Sequence, residues 1–356
     1  MAAKYQQLAS ILRSEVQQIL RQGGSRLATE AELSERYHMS RQTVRHALKL
    51  LAEEHLIERR QGSGSYIRAQ SRPEGTHQIA VITTFLDDYI FPSILHDVQS
   101  VFSQAGYSTL VYATENRVSR EREILLTLLE KSVSAVLVEG SKTALPTPNG
   151  DLYHRLQAKQ IPVLFLHGIY GNLPGFPCLQ DDNYAGGYQL GQYLAEQGHS
   201  RIAGFFKSDD IQGPQRYYGL ISALRDASIP INDDAFFWYD SLDRTALTGN
   251  ESGTLMDEFI RTRLGASTAV VCYNDEIAHG LIKRLTELAR SVPEEVAVVS
   301  FDNSFYSQVG PVPITSLGHR AGHTGRLAAG MLLDILSGKP VTPPPLEWTL
   351  FRRQSG

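Results

Sequence analysis

The sequence predicts an α/β protein in two parts: a small N-terminal domain of helices that ends in a β-hairpin, and a larger bilobed domain with two parallel sheets. Helical periodicity dominates the first 54 residues, whereas seven short β-rich runs alternate with helical stretches from residue 78 onward. The chain has 356 residues, of which 42% are hydrophobic and 20% charged. This length and composition fit a soluble globular protein of two or three domains.

The net charge of −4 hides an uneven distribution of charge along the chain. Residues 1–72 hold 12 Lys and Arg against 7 Asp and Glu, a net of +5, and the remaining residues hold 22 against 31, a net of −9. A small basic part on an acidic body indicates one module for a polyanion and another for a different partner. Chance partition of charge is the alternative interpretation.

Several classes of protein are excluded by composition. The two cysteines, Cys178 and Cys272, cannot form a disulfide framework or a four-cysteine zinc site. No apolar run approaches the roughly 18 residues that span a bilayer, and the N-terminus lacks the apolar core of a signal peptide. We therefore expect a cytoplasmic protein with no membrane association, no metal and no cofactor.

The first two helices are predicted from apolar spacing and from a capping pattern. Apolar residues recur at helical spacing over residues 4–21, and Gly23-Gly24 ends that helix. Thr29 and Glu32 then form the pattern of a capping box, in which each side chain bonds the backbone of the other residue. A short helix is expected from there to about Tyr37.

The third helix, from Ser40 to about Glu54, carries the side chains with the clearest function. Its buried stripe consists of Val44, Ala47, Leu48 and Leu51. Its other side presents Arg41, Gln42, Arg45 and Lys49. A short helix, a turn and a helix with exposed Arg and Gln form a helix-turn-helix. These side chains suit the major groove, because Arg pairs with guanine and Gln with adenine. A charged, solvated helix is the alternative.

A basic hairpin is predicted after the third helix. Its strands are residues 56–60 and 65–68, and Gln61-Gly62-Ser63-Gly64 forms the tip. The glycines let such a tip lie against a phosphate backbone or inside a minor groove. Residues 1–68 therefore read as a winged helix-turn-helix domain, followed by a polar linker at residues 69–77.

The body, residues 78–356, is predicted to hold two parallel sheets, because seven strands are many for a single sheet. The predicted strands are residues 79–83, 109–113, 135–138, 163–166, 202–206, 269–272 and 296–301.

Ligands of open parallel sheets lie beyond the carboxyl ends of the strands, so the polar and aromatic residues that follow the strands are candidates for a binding site. Charged groups bond strongly to hydroxyls and rings pack on C–H faces, which favours a small polyhydroxylated ligand. An Asp or Asn at such a position is often only a helix cap, as we expect for Asp182 and Asn183. The candidates are Tyr89, Phe91, Glu139, Lys142, Lys207, Asp209, Gln212, Arg216, Asn274, Asp275 and Asp302.

Residues 4–68 resemble the GntR-type winged helix. The motifs that carry the resemblance are residues 27–33, 40–48 and 61–66, with Ala28 where the family usually has proline. The resemblance implies a homodimer on a pseudo-palindromic operator in double-stranded DNA. It implies that the arginines and Gln42 read bases, that the wing tip enters the minor groove and that other residues position the domain. The implied DNA-contacting residues are Lys4, Tyr5, Glu30, Arg41, Gln42, Thr43, Arg45, Gln61 and Gly62.

The body resembles the LacI/GalR regulators and their periplasmic sugar-binding relatives, so a periplasmic-binding-protein-like, effector-binding and dimerisation domain is implied. Residues 179–187, 194–202, 272–278 and 298–303 carry this resemblance. In such proteins the residues at the positions of Arg216, Asn274 and Asp302 contact the sugar.

The pairing of these two domains resembles the arabinose-responsive regulators of Gram-positive bacteria. Residues 87–93, 206–213 and 272–278 are similar to that group, whereas Gly140-Ser141 replaces its Pro-Thr. The resemblance implies a transcriptional repressor that L-arabinose releases from DNA.

Four alternatives remain open from the sequence: a regulator of another pentose or hexose pathway, an activator, a pure binding module without regulation, and a DNA-binding protein with an enzymatic body. For the last, Lys142 and Lys207 are candidates for a Schiff base with a pyridoxal cofactor, but no phosphate-binding loop accompanies them. The sequence also lacks a nucleophile elbow, a P-loop and a zinc-protease motif.

Overall fold

The computed structural model describes residues 4–21, 26–54, 56–60, 64–67, 77–87, 89–248, 253–319, 323–344 and 346–356. The chain forms two compact units, one of Met1–Thr76 with Asp151–Ile161 and the other of His77–Gly150 with Pro162–Gly356. Among the described residues, no helix combines the length and apolar character needed to span a membrane.

Within Met1–Thr76, the described residues form three helices and an antiparallel hairpin, as the sequence predicts. Their bounds are α1 Lys4–Arg21, α2 Glu30–Arg36, α3 Arg41–Glu53, β1 Ile57–Arg60 and β2 Gly64–Ile67. The capping box at the start of α2 is present, with Thr29 bonded to the backbone of Glu32 and the Glu32 carboxylate bonded to the backbone of Thr29. The core joins α1 to α3 through fully buried leucines such as Leu8, Leu12 and Leu48. This apolar packing holds α3 with its polar face outward.

The first lobe of the larger unit is a five-stranded parallel sheet in the order β4-β3-β5-β6-β7. Its strands are β3 Gln78–Thr83, β4 Ser108–Ala113, β5 Ala135–Val138, β6 Val163–Leu166 and β7 Cys178–Leu179. Helices α4 Phe91–Gln104, α5 Val118–Glu130 and α6 Gly150–Ala158 alternate with them along the chain. The central strands β5 and β6 are buried along their whole length, which explains their unbroken apolar runs.

The second lobe is a six-stranded sheet in the order β13-β12-β11-β10-β8-β9, parallel except for β13. Its strands are β8 Ile202–Lys207, β9 Phe236–Tyr239, β10 Ala269–Cys272, β11 Ala297–Phe301, β12 Thr315–Gly318 and β13 Thr349–Phe351. The helices after β7 are α7 Asn183–Glu196, α8 Gln212–Asp226, α9 Arg244–Thr248, α10 Gly253–Phe259, α11 Asp275–Glu287 and α12 His323–Leu336.

The chain crosses between the two lobes three times. After β7 it enters α7, whose Leu190 and Leu194 belong to the core of the second lobe. After β12 it returns to α12, which packs on α4 in the core of the first lobe. Leu346 still belongs to that core, and β13 then pairs with β12 in the second sheet. The crossings therefore lie at residues 180–182, after Gly318, and at residues 347–348.

All seven predicted strands are present, and four further strands were missed. β7 has only two residues, and β13 is an antiparallel edge strand without a buried residue. β12 carries the polar pair Thr315-Ser316, so it lacks the apolar run that identified the other strands. β9 is an edge strand that follows a 3-10 turn.

Candidate functional site

A cleft of about 500 Å³ lies between the two lobes at the carboxyl ends of both sheets. This volume is within the range of small-molecule sites. Eight predicted residues line it: Tyr89, Phe91, Glu139, Lys207, Gln212, Arg216, Asn274 and Asp302.

Arg216, on α8, is a fixed cation of the cleft and is only 2% exposed. Its Nε donates to Asn183 Oδ1 over 2.9 Å, one Nη donates to the carbonyl of Tyr273 over 2.5 Å, and the other lies 3.5 Å from Asp302 Oδ1. The guanidinium carbon lies 4.3 Å from the ring centroid of Phe301. These contacts orient the guanidinium before any ligand arrives.

Asp302 faces Arg216 and joins the two lobes. The hydroxyl of Tyr89, in the first lobe, donates to its carboxylate. Burial raises the pKa of Asp302, while the Arg216 guanidinium acts to lower it. The backbone φ of Asp302 is +98°, a region that non-glycine residues rarely adopt and that recurs at functional sites.

Glu139 forms a second charged centre with His167 on the first-lobe side of the cleft. The carboxylate lies 3.1 Å from His167 Nδ1 and accepts bonds from Thr83 Oγ1 and the backbone of Thr84. Burial acts to raise the pKa of Glu139, but His167 and these donors lower it to about 2. Burial acts to lower the pKa of His167, but Glu139 raises it. The two groups therefore form an ion pair inside the cleft.

Lys207, Gln212 and Asn274 line the second-lobe side. Lys207 Nζ lies 2.5 Å from Asp210 Oδ2; burial acts to lower the pKa of Lys207, but Asp210 and Asp209 raise it. Gln212 accepts a bond of 3.0 Å from the hydroxyl of Tyr273. Asn274 caps α11 through its Oδ1 as well as lining the cleft.

Lys142 and Asp209 do not line the cleft, which corrects the prediction for both. They form an ion pair of 3.6 Å that bridges the two lobes. Asn116 reinforces the bridge, because its Oδ1 accepts from the backbone of Lys142 and its Nδ2 donates to Asp209. Both followed a strand end in sequence, but their charges neutralise one another instead of facing the cleft.

Asp275 is the third correction, because it lies fully buried beneath the cleft. Its carboxylate accepts bonds from the hydroxyls of Ser300 and Ser316 and from the backbone of Ser304. Burial raises its pKa to about 7. Asp275 thus ties α11 to β11, to β12 and to the loop after β11, and it is shielded from a ligand.

The cleft also contains polar residues that sequence reasoning did not select. Asp181 follows β7, Tyr239 ends β9, His319 follows β12 and Trp348 precedes β13. All four lie at strands that were missed. The rule of strand ends would have found Asp181, Tyr239 and His319 once those strands were recognised, whereas Trp348 precedes the antiparallel strand β13 and falls outside that rule. Within the described parts of the chain, no cluster of three His, Cys, Asp or Glu side chains could hold a metal.

The exposed face of α3 presents the predicted DNA-contacting residues Arg41, Gln42 and Arg45 to solvent. Glu30 lies 3.3 Å from a guanidinium nitrogen of Arg45, so it is placed to orient that side chain. Thr43 forms a hydroxyl bond of 2.9 Å with Ser40, the cap of α3.

The remaining predicted residues of this surface lie at its edges. Lys4 is exposed, and the ring of Tyr5 lies 5.7 Å from that of His46 on α3. Gln61 and Gly62 lie outside the described residues. Arg26, which sequence reasoning did not select, pairs with Tyr66 on the wing and places its guanidinium 5.6 Å from that ring.

Two family models match the chain. Residues 4–67 match the gntR family of bacterial regulatory proteins, and residues 192–355 match a periplasmic binding protein-like domain.

Individual relatives cover nearly the whole chain. The arabinose metabolism transcriptional repressor of Halalkalibacterium halodurans is 32% identical over 342 residues, 94% of this chain and 90% of the relative. The protein of the same name from Geobacillus stearothermophilus is 32% identical over 322 residues, 89% of this chain and 86% of the relative. The crystal structure of the transcription regulator CcpA of Lactococcus lactis is 24% identical, covers 78% of this chain and 98% of that one, and has a TM-score of 0.67, which indicates a shared fold.

Proposed function

Because this chain belongs to the transcriptional repressors that join a GntR-type DNA-binding domain to a LacI-type, periplasmic-binding-protein-like domain, we propose that L-arabinose releases it from its operator. At the coarser level the protein is a sugar-responsive transcriptional repressor, and its relatives are repressors rather than enzymes. We further propose that it acts in the cytoplasm as a homodimer on a pseudo-palindromic operator.

The observation that carries the sugar proposal is the oriented pair of Arg216 and Asp302 among aromatic rings. A charged donor and a charged acceptor side by side match the alternating donors and acceptors of neighbouring hydroxyls. Tyr89 and Phe91 line the cleft, and aromatic rings are the side chains on which the C–H groups of a sugar ring pack. Seven Asp and Glu side chains line the cleft against Lys207, Arg216 and Arg244, and this excess of negative charge favours a neutral sugar over a sugar acid or a sugar phosphate.

The proposed mechanism is a shift between two states of the body. Sugar that binds across the cleft favours the arrangement in which both lobes contact it, and a sugar with equal affinity for both states would shift nothing. Typical couplings between two sites are about 1–3 kcal/mol, or roughly 5–150-fold in affinity. By reciprocity, operator DNA weakens sugar binding by the same factor.

The test is a titration of the protein into a fluorescent DNA fragment from its own upstream region, at one fixed salt concentration, with and without L-arabinose. D-Xylose, which differs at a single carbon, is the matched control sugar. We expect L-arabinose, but not D-xylose, to weaken binding by a factor in the range of about 5–150. Release by D-xylose alone would contradict the proposed effector, and the absence of any binding would contradict the proposed operator.

A further inference from the structure

One side chain, His319, joins all three crossings between the lobes. It stands at the second crossing, and its Nδ1 lies 2.8 Å from the carbonyl oxygen of Glu347 at the third. Its Nε2 lies 2.8 Å from Asp181 Oδ1 at the first crossing, as an ion pair rather than as an aligned hydrogen bond. Burial acts to lower the pKa of His319, but Asp181 raises it, which favours the charged form of this pair.

Trp348 completes the connection. Its ring stacks on the imidazole of His319, with centroids 4.3 Å apart and planes inclined by 27°. Its indole nitrogen donates to the carbonyl of Asp182 over 2.7 Å. The ring approaches α7 so closely that a side-chain carbon at Gly186 would lie 2.7 Å from that nitrogen. We call His319, Asp181, Asp182, Glu347 and Trp348 the crossing cluster.

The crossing cluster also touches the candidate sugar site. His319, Asp181 and Trp348 line the same cleft as Arg216. The guanidinium carbon of Arg216 lies 5.9 Å from the ring centroid of Trp348, and the carboxylate of Asp302 acts on the charge of His319. A ligand on Arg216 and Asp302 is therefore placed next to the residues that join the crossings.

A change in the angle between two lobes must be absorbed where the chain passes between them. Three separate crossings could twist independently, whereas here all three are in contact with one shared imidazole. We propose that His319 is a positioning residue, which converts sugar binding in the cleft into one concerted change of the lobe angle. This inference rests on the proposed function for the identity of its effector, L-arabinose.

The experiment compares the full-length protein with its His319→Ala variant in operator binding, without sugar and at saturating L-arabinose. Calorimetry first gives the dissociation constant of each variant for L-arabinose. Operator binding is then measured at an L-arabinose concentration well above that constant. The ratio of the two operator affinities then reports coupling and is independent of a change in sugar affinity. We expect unchanged operator affinity without sugar. At saturating L-arabinose we expect the ratio of the two operator affinities to fall from the wild-type factor of about 5–150 to a value near one.

Two further variants separate coupling from general structural damage. His199→Ala removes a histidine that bonds Thr268 within the second lobe, away from the crossings, and is expected to keep the wild-type release. Trp348→Phe keeps an aromatic ring and removes the bond to Asp182, so it is expected to reduce release in a stably folded protein. His319→Gln, whose amide can donate to Asp181, is expected to restore part of the release.

Three outcomes overturn parts of this scheme in distinguishable ways. Full release of His319→Ala at saturation contradicts the coupling role. Complete loss of L-arabinose binding by this variant assigns His319 to direct sugar contact and contradicts a positioning role. A wild-type protein that L-arabinose does not release overturns the proposed effector and, with it, the coupling built on that effector.

Discussion

The exposed face of α3 and the cleft of the larger unit present their polar groups in opposite ways. Arg41, Gln42 and Arg45 are neighbours in sequence and stand in solvent. Arg216 and Asp302 come from distant parts of the chain, and Arg216 is buried and bonded on three sides. A surface for a polyanion can keep its cations solvated, because the DNA charge attracts them, whereas a cleft for a small neutral ligand requires groups that are oriented in advance.

Removing Arg216 tests whether the cleft depends on a buried, oriented cation, and it has the largest expected effect on stability and sugar binding. Arg216→Ala leaves Asp302, whose side chain is 12% exposed, without its cation. Breaking a fully buried pair costs about 3–5 kcal/mol, and the partial exposure of Asp302 reduces that cost. We expect a lower free energy of unfolding, no calorimetric signal with L-arabinose, and an operator complex that the sugar does not release. Arg225→Ala is the control, because Arg225 lies on the same helix and pairs with Asp226 at the surface. L-Arabinose binding by Arg216→Ala at wild-type affinity would contradict the placement of the site.

Removing Arg45 tests whether the exposed face of α3 binds the operator. A good bidentate contact to a base contributes about 1–3 kcal/mol of discrimination, so Arg45→Ala is expected to weaken specific operator binding by a factor of about 5–150. L-Arabinose affinity and thermal stability should stay near wild type, because the Arg45 side chain is 63% exposed. Lys49→Ala, one turn further along α3, is the control for simple loss of a positive charge. Operator binding by Arg45→Ala equal to wild type would show that α3 is not the recognition helix.

The same contrast explains how much of the protein could be predicted from its sequence. The bounds of α1 and the caps of α2 and α3 follow from local patterns, since Thr29, Glu32 and Ser40 act within one turn of themselves. The cleft depends on which strands neighbour one another, and local patterns do not contain that information. Eight of its residues were still predicted, because apolar runs revealed most strand ends.

The errors in the cleft have two physical causes. Asp181, His319 and Trp348 adjoin strands that are short, polar or at an edge, so the sequence showed no apolar run beside them. Lys142 and Asp209 do follow strand ends, but they pair with each other across the lobes. A sequence shows which charges reach the edge of a sheet, whereas only the fold shows which of them are already neutralised there.

The ion pair of Glu139 and His167 predicts a dependence of stability on pH. The pKa of Glu139 is lowered from 4.5 to about 2, so its contribution to folding stability is complete above pH 4.5 and is lost as the pH falls toward 2. The pKa of His167 is raised above 6.5, so its contribution is complete below pH 6.5 and is lost as the pH rises through the higher value. The pair therefore stabilises the protein most between pH 4.5 and 6.5.

Glu139→Gln tests this pair through thermal unfolding at several pH values. Near pH 5.5 we expect the free energy of unfolding to fall by an amount on the order of 1.5–3 kcal/mol, which is the range for hydrogen bonds to charged groups. At alkaline pH we expect a smaller decrease. Glu123→Gln, on the exposed side of α5, is the control for the removal of one carboxylate. A loss that does not vary between pH 5.5 and pH 9 would contradict a charged His167.

The smallest effect on stability and binding is expected at the contact between Glu30 and Arg45, which lies on the exposed DNA-binding surface. Exposed ion pairs contribute about 0–1 kcal/mol, so Glu30→Gln should leave the unfolding temperature nearly unchanged. Its effect should appear instead in operator binding, because Arg45 loses the carboxylate that holds its guanidinium in place. We expect a loss of affinity of a few-fold, about 1 kcal/mol or less, that vanishes in the Arg45→Ala background, as measured in a double-mutant cycle. Equal losses in both backgrounds would mean that Glu30 acts independently of Arg45, and the idea of an orienting contact would then be wrong.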